Sequence, residues 1–121
     1  MPEGDTVWYT AHRLDEALAG RTLTRTDFRV PRLATATLTG QLITEVVPRG
    51  KHLLARTSGG LTVHTHLRMD GSWRVTPAAE RVPDSHRIRL ILANEDWQAT
   101  GYQLGVVELL RTNAEQRVTG Q

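Results

Sequence analysis

The sequence predicts a mainly β fold with one amino-terminal helix, arranged as a two-layered antiparallel β-sandwich of about eight strands. Three features carry that prediction. Val7, Ala11, Leu14 and Leu18 recur at steps of three and four, whereas from Thr22 onward apolar and polar residues alternate with a period of two. Turn signals punctuate the alternating stretch at short intervals, at Arg49-Gly50, Ser58-Gly59-Gly60, Asp70-Gly71 and Asn94-Glu95-Asp96.

Taken in order, Asp5–Ala19 reads as one amphipathic helix, with Asp5 or Thr6 placed to cap its start and Gly20 to end it. The expected strands are Thr22–Arg29, Gln41–Val47, Lys51–Thr57, Leu61–His66, Ser72–Val75, Arg87–Ala93, Trp97–Tyr102 and Val106–Arg111. Ser58-Gly59-Gly60, between two apolar strands, gives the clearest hairpin. Thr76–Ser85, with Pro77 and Pro83, reads as a mobile loop. Trp8, Trp73 and Trp97 read as core anchors. One domain over residues 1–111 is expected, with 112–121, where periodicity fades, as the start of a linker.

Composition narrows the class. With 39% apolar and 23% charged residues the chain is an ordinary globular one, and no apolar run approaches a membrane span. The start is acidic and amphipathic, unlike a secretory signal, so a cytoplasmic location is expected. The absence of cysteine excludes disulfides, a thiol nucleophile and cysteine-ligated zinc within these 121 residues. Fifteen basic residues include a single lysine, Lys51, and the arginines at 21, 25, 29, 32, 49, 56, 68 and 74 offer forks suited to a phosphate surface. His64 and His66 lie two apart and share a strand face, but no further ligands accompany them and no metal site is expected.

The chemistry is concentrated at the amino terminus. Removal of Met1 exposes the secondary amine of Pro2 beside the carboxyl group of Glu3. An α-amino group has an unperturbed pKa of roughly 7.7–8.0, so it is far closer to the nucleophilic, unprotonated state than a lysine at about 10.4. Attack on an electrophilic carbon would give a cationic iminium, an electron sink, and Glu3 is placed to move the accompanying protons.

Pro2-Glu3-Gly4 ahead of a helix, then Arg49-Gly50-Lys51-His52-Leu53, then His66-Leu67-Arg68-Met69-Asp70-Gly71-Ser72-Trp73-Arg74-Val75, resembles the formamidopyrimidine-DNA glycosylase and endonuclease VIII family in order and spacing. The resemblance covers essentially the whole chain and corresponds to the family's amino-terminal catalytic domain. It implies a base-excision-repair enzyme, both glycosylase and abasic-site lyase, acting on damaged double-stranded DNA as a monomer associated with the bacterial nucleoid. On this resemblance a damaged nucleotide is flipped from the stack. Pro2 then attacks C1′ and Glu3 protonates the sugar ring oxygen. The iminium acidifies the adjacent carbon, and the strand is cut by β- and usually δ-elimination. Lys51 corresponds to the lysine that contacts the phosphate next to the lesion. Met69 corresponds to the wedge that fills the vacated stack. His66 and Arg68 belong to the same DNA-proximal segment.

Three departures refine the expectation. Thr6 stands where relatives carry a glutamate that buttresses the site. The stretch Thr100-Gly101-Tyr102-Gln103-Leu104-Gly105 lacks the Arg-Arg-Phe-Gly of the 8-oxoguanine-directed branch, which points to the endonuclease VIII-like branch and oxidised pyrimidines. The helix–two-turn–helix and zinc-finger parts of full-length relatives, with their structural zinc, are not represented, so a fragment of low activity on its own is expected, with no cofactor in this chain. The alternative is a DNA-binding or interaction module whose amino terminus is vestigial or blocked.

Overall fold

The computed structural model describes residues 3–115, with the side chains of residues 3–5 outside that description. Among the described residues one helix, α1 (Glu3–Leu18), precedes nine strands: β1 (Arg21–Thr22), β2 (Arg25–Phe28), β3 (Leu42–Arg49), β4 (His52–Thr57), β5 (Leu61–His66), β6 (Ser72–Pro77), β7 (Ile88–Ala93), β8 (Trp97–Tyr102) and β9 (Val106–Arg111). They form a five-stranded sheet ordered β1-β3-β4-β5-β9 and a four-stranded sheet ordered β2-β7-β8-β6, and every named strand pairing is antiparallel.

The expected first strand is two strands, because the chain changes sheets at Leu23. Leu23 N–H donates to the Gln41 carbonyl beside the first sheet, and Thr24 N–H donates to the Ala93 carbonyl of the second, both at 2.8 Å. Leu23 itself is 1% exposed and plugs the junction. The helix begins at Glu3, so Asp5 and Thr6 lie within it rather than capping it. Gly20, at φ +76°, lets the chain leave the helix in a left-handed conformation that a residue with a Cβ rarely adopts.

Packing follows from the period of each element. Leu14 and Leu18 of α1 meet Val46, Leu53, Ala55 and Val63 of the first sheet and Trp73 and Leu92 of the second. Phe28, Leu90 and Ala99 complete the same buried cluster. Beyond Ile43, β3 is an edge strand whose open N–H groups need partners. The Asp15 carboxylate accepts the Val46 N–H at 2.8 Å, and Pro48 has no N–H to satisfy.

Two sequence expectations are corrected here. Trp8 and Trp97 are 54% and 37% exposed, so they are surface residues, and Trp73 alone of the three tryptophans packs against the core. Trp8 stacks on His12 one turn along the helix, with ring centroids 5.4 Å apart. The segment after β6 is tied down rather than loose. Ala78 N–H donates to the Asp96 carbonyl at 2.9 Å, Gln98 Nε2 to the Pro77 carbonyl at 3.1 Å, and Arg29 pairs with Asp84.

After β9 the chain makes a short 3-10 turn at Thr112–Ala114, which delivers Glu115 to the outer face of the first sheet. There Glu115 accepts from Arg56 Nη2 at 2.7 Å and from the Thr62 hydroxyl at 2.7 Å. Hydrogen bonding to Arg56 holds the Glu115 carboxyl below the usual carboxylate range, and Glu115 raises Arg56 in turn. A depressed carboxyl contributes stability that is fully present above its unfolded value and lost as pH falls through its folded value. Glu115→Gln therefore costs about 1–3 kcal/mol at neutral pH, and the gap to wild type closes in acid, as read by urea unfolding from pH 7 downward. Asp15→Ala, which strands the Val46 N–H at the edge of β3, costs about 1–2 kcal/mol in the same assay.

Candidate active site

Three loops and the start of α1 converge at one end of the sandwich. Arg49 pairs with His52 and His52 with His66, so the β3–β4 turn and the β5–β6 loop stand side by side. The β8–β9 loop joins them through Gly105, whose N–H donates to the His66 carbonyl at 2.9 Å. The direction of α1 is set by Gly20, bonded to Ile43, and Asp15, bonded to Val46, so the helix climbs β3 toward its amino-terminal end. From Asp15 back to Glu3 a helix advances roughly 18 Å, which carries the start of α1 toward the end where Lys51 lies. The first turns of α1 flank the start of β6, where Thr6, Tyr9 and Thr10 share a groove with Trp73 and Val75.

Among the described residues, Lys51, His66, Arg68 and Met69 each have a local cause. Lys51 is exposed in a two-residue turn whose first residue, Gly50, has φ +58°; glycine at that position with a following residue at negative φ is the hairpin turn that matches strand twist. Met69 is 96% exposed, so it fills no core gap. It is held out by a tight loop in which Gly71 N–H donates to the Leu67 carbonyl at 2.9 Å and Arg68 N–H to His66 Nδ1 at 2.9 Å. Arg68 adopts φ 54°, and its side chain lies so close over Gly105 that a Cβ there would meet its Cδ at 2.3 Å. A Cβ on Gly71 would stand 2.4 Å from the Leu67 carbonyl oxygen, so the loop requires glycine. Pro2 lies outside the described residues, as does the side chain of Glu3. Thr6 is exposed on α1.

The arginines do not form one surface. Arg21 pairs with Asp96, Arg29 with Asp27 and Asp84, and Arg56 with Glu45 and Glu115. Arg21 also sits opposite Ile43, at the far end of β3 from Lys51. Arg49, in register with His52, stands at the Lys51 turn, and Arg68 lies over Gly105 in the adjoining loop.

A constellation that the sequence did not reveal lies behind Lys51. On the outer face of the first sheet, Glu108 Oε2 bonds His64 Nδ1 at 3.1 Å and His64 Nε2 bonds His52 Nδ1 at 2.8 Å. The His52 ring meets the edge of the His66 ring with centroids 4.9 Å apart. His64 is 3% exposed. Burial, followed by His64 and His66, holds the His52 imidazole below its ordinary value. The i, i+2 spacing of His64 and His66 was the only visible trace, since His52 and Glu108 join through cross-strand register. Among the described residues no group of three histidines and acids is arranged to hold a metal.

Residues 1–119 match the formamidopyrimidine-DNA glycosylase N-terminal domain. The chain belongs to this family. It is 60% identical over 99% of its length to a Streptomyces coelicolor protein named probable endonuclease 8 2. It is 55% identical to the Mycobacterium tuberculosis endonuclease 8 2 and 50% identical to the Mycolicibacterium smegmatis DNA-(apurinic or apyrimidinic site) lyase Nei2, over 91% of the chain in each case. The chain spans 44%, 44% and 42% of the lengths of these three relatives. Among solved structures it is similar to Lactococcus lactis Fpg (MutM) bound to DNA containing N7-benzyl-Fapy-dG, with a TM-score of 0.78 at 22% identity over 93% of this chain and 45% of that one. A complex of the same Lactococcus protein with THF-DNA and an inhibitor gives 0.81 at 22% identity over 97% of this chain and 46% of that one. At that identity the likeness speaks to the fold, and the family sandwich expected from the motifs is the one observed.

The loop that carries Met69 supplies a direct test of its rigidity. Gly71→Ala displaces the Leu67–Gly71 turn, giving large amide shift changes and faster hydrogen exchange across residues 67–71 with little change in the β3–β4 turn.

Proposed function

We propose that the chain is the catalytic amino-terminal domain of a base-excision-repair DNA glycosylase with abasic-site lyase activity, acting on oxidised bases, chiefly pyrimidines, in double-stranded DNA. The observation that supports this reading is that the turn bearing Lys51 and the loop presenting Met69 stand side by side, with α1 running along β3 toward the same end. A lesion lyase needs those three elements within one nucleotide's reach: an amine to attack, a cation for the neighbouring phosphate and an apolar side chain for the gap in the stack.

In this mechanism Pro2 nitrogen forms a bond to C1′ of the flipped nucleotide as the glycosidic bond breaks and the base departs. Glu3 gives a proton to the ring oxygen, opening the sugar to an iminium. Loss of a proton from C2′ into that electron sink expels the 3′ phosphate, and a further elimination expels the 5′ phosphate. Lys51 holds the phosphate beside the lesion and Met69 occupies the vacated stack, with His66 fixing the Met69 loop through its bond from Arg68 N–H. The working sandwich is taken to span residues 1–111, with Glu115 docked on its outer face. Because Arg21, Arg29 and Arg56 are committed to carboxylates, these 121 residues alone grip DNA weakly. The names of the mycobacterial and Streptomyces relatives support the lyase reading and the endonuclease VIII-like branch. A bacterial, cytoplasmic setting accompanies it, and no helix among the described residues is long and apolar enough to cross a membrane.

Single-turnover cleavage at low salt, with protein in excess over duplexes bearing one abasic site, one oxidised thymine or one 8-oxoguanine, tests the reading. Abasic and oxidised-thymine strands are cut, 8-oxoguanine at least about tenfold more slowly, a barrier difference of about 1.4 kcal/mol. Pro2→Gly abolishes cutting, Glu3→Gln spares part of the abasic-site reaction, and Lys51→Ala weakens DNA engagement. Full cutting by Pro2→Gly contradicts the mechanism.

A further inference from the structure

The Glu108–His64–His52 chain is more than a way to fill a sheet face. A carboxylate only accepts hydrogen bonds, so His64 Nδ1 carries the hydrogen toward Glu108 and its Nε2 is left as the acceptor. His52 must then donate from Nδ1, at 2.8 Å, which leaves His52 Nε2 as a lone-pair nitrogen next in sequence to Lys51. No hydrogen bond joins that nitrogen to another described residue. The groups around His52 are Arg49 across the turn on β3, Lys51 next to it in the β3–β4 turn, His64 and His66 on β5 and, through His64, Glu108 on β9. His52 is therefore oriented by one buried partner, stands in register with Arg49, and is joined through that partner to one negative charge.

We propose that His52, oriented by Glu108 through His64, is a second phosphate-positioning residue beside Lys51 and takes up one proton when a DNA phosphate docks there. The inference rests on the DNA-binding reading above. In the free protein burial, followed by His64 and His66, disfavours a charge on the ring. An arriving phosphate brings a negative charge to the ring, and the proton enters from solvent at Nε2 while the Nδ1–H bond to His64 stays in place. The protonated Nε2–H then donates to a phosphate oxygen, a charge-assisted bond. Glu108 offsets the added charge from the other end of the chain. A histidine whose value is raised on binding favours the complex below its free value and loses that contribution as pH rises through its bound value. DNA affinity accordingly falls with rising pH across the histidine range, in addition to the salt dependence of ordinary phosphate contacts.

The test is nitrogen-15 NMR titration of the histidines in the 121-residue chain, alone and with a duplex carrying one tetrahydrofuran abasic analogue, with binding measured in parallel across about pH 5.5–8.5. The expected result is an Nδ1–H tautomer at His52 and His64 in the free chain and an upward displacement of the His52 midpoint by about one unit with DNA, equivalent to about tenfold in affinity across the range. His52→Gln removes this pH dependence, and Glu108→Gln, which keeps an acceptor oxygen without the charge, changes it while the fold is retained. If Lys51 and Met69 amides respond to the duplex while the His52 midpoint stays put, the proton-linked role is overturned and the DNA reading stands. If none of the three responds, the DNA reading falls and this inference with it.

Discussion

The lashing of α1 to the edge of β3 is the constraint on which the rest depends. The Asp15 carboxylate takes the Val46 N–H and Gly20 takes the Ile43 carbonyl, so the helix has one direction along the strand. Val7, Ala11, Leu14 and Leu18 then seal the junction between the sheets. A helix running the other way would point its start toward the Arg21 end of β3, away from Lys51. Direction is set by two polar contacts, while burial supplies the stability.

The first sheet divides its labour by face. Inward, Ile43, Val46, Leu53, Ala55 and Val63 belong to the core. Outward, the same strands carry Arg49, His52, His64, His66, Arg56, Thr62 and Glu108, an unusually polar set for a face where Leu54, Thr62 and His64 are buried. Buried polar groups are tolerated only when paired, and here they are: Glu115 serves Arg56 and Thr62, and Glu108 serves His64. Two separate sets of bonds result, one at the exit of β9 and one reaching His52 beside the turn that presents Lys51. The second set backs the Lys51 turn with hydrogen-bonded side chains, while Met69, in the neighbouring loop, stands clear of the protein surface.

The sequence made much of this legible because alternation and turn chemistry are local signals. The hairpin at Ser58-Gly59-Gly60, the helix and the strand centres follow from them, and Gly50 and Gly71 mark loops that need glycine for reasons the geometry confirms. What stayed hidden depends on partners distant in sequence. The split of the first strand at Leu23 requires knowing that Gln41 and Ala93 lie on different sheets. Trp8 and Trp97 look like core residues by type, yet the helix face and strand end they occupy point outward. The arginine run reads as one phosphate surface until Asp96, Asp84 and Glu115 are seen to claim three of its members. The histidine relay is assembled from three strands, and no window of sequence contains it.

The central claim is that the amino terminus, Lys51 and Met69 work on one nucleotide. Borohydride reduction of the chain with a duplex containing a single abasic site, followed by mass mapping of the DNA-bearing peptide, tests it most directly. The account predicts one adduct, on the nitrogen of Pro2 in chains that have lost Met1. An adduct on Lys51, or none from bound chains whose Met1 is gone, would contradict it.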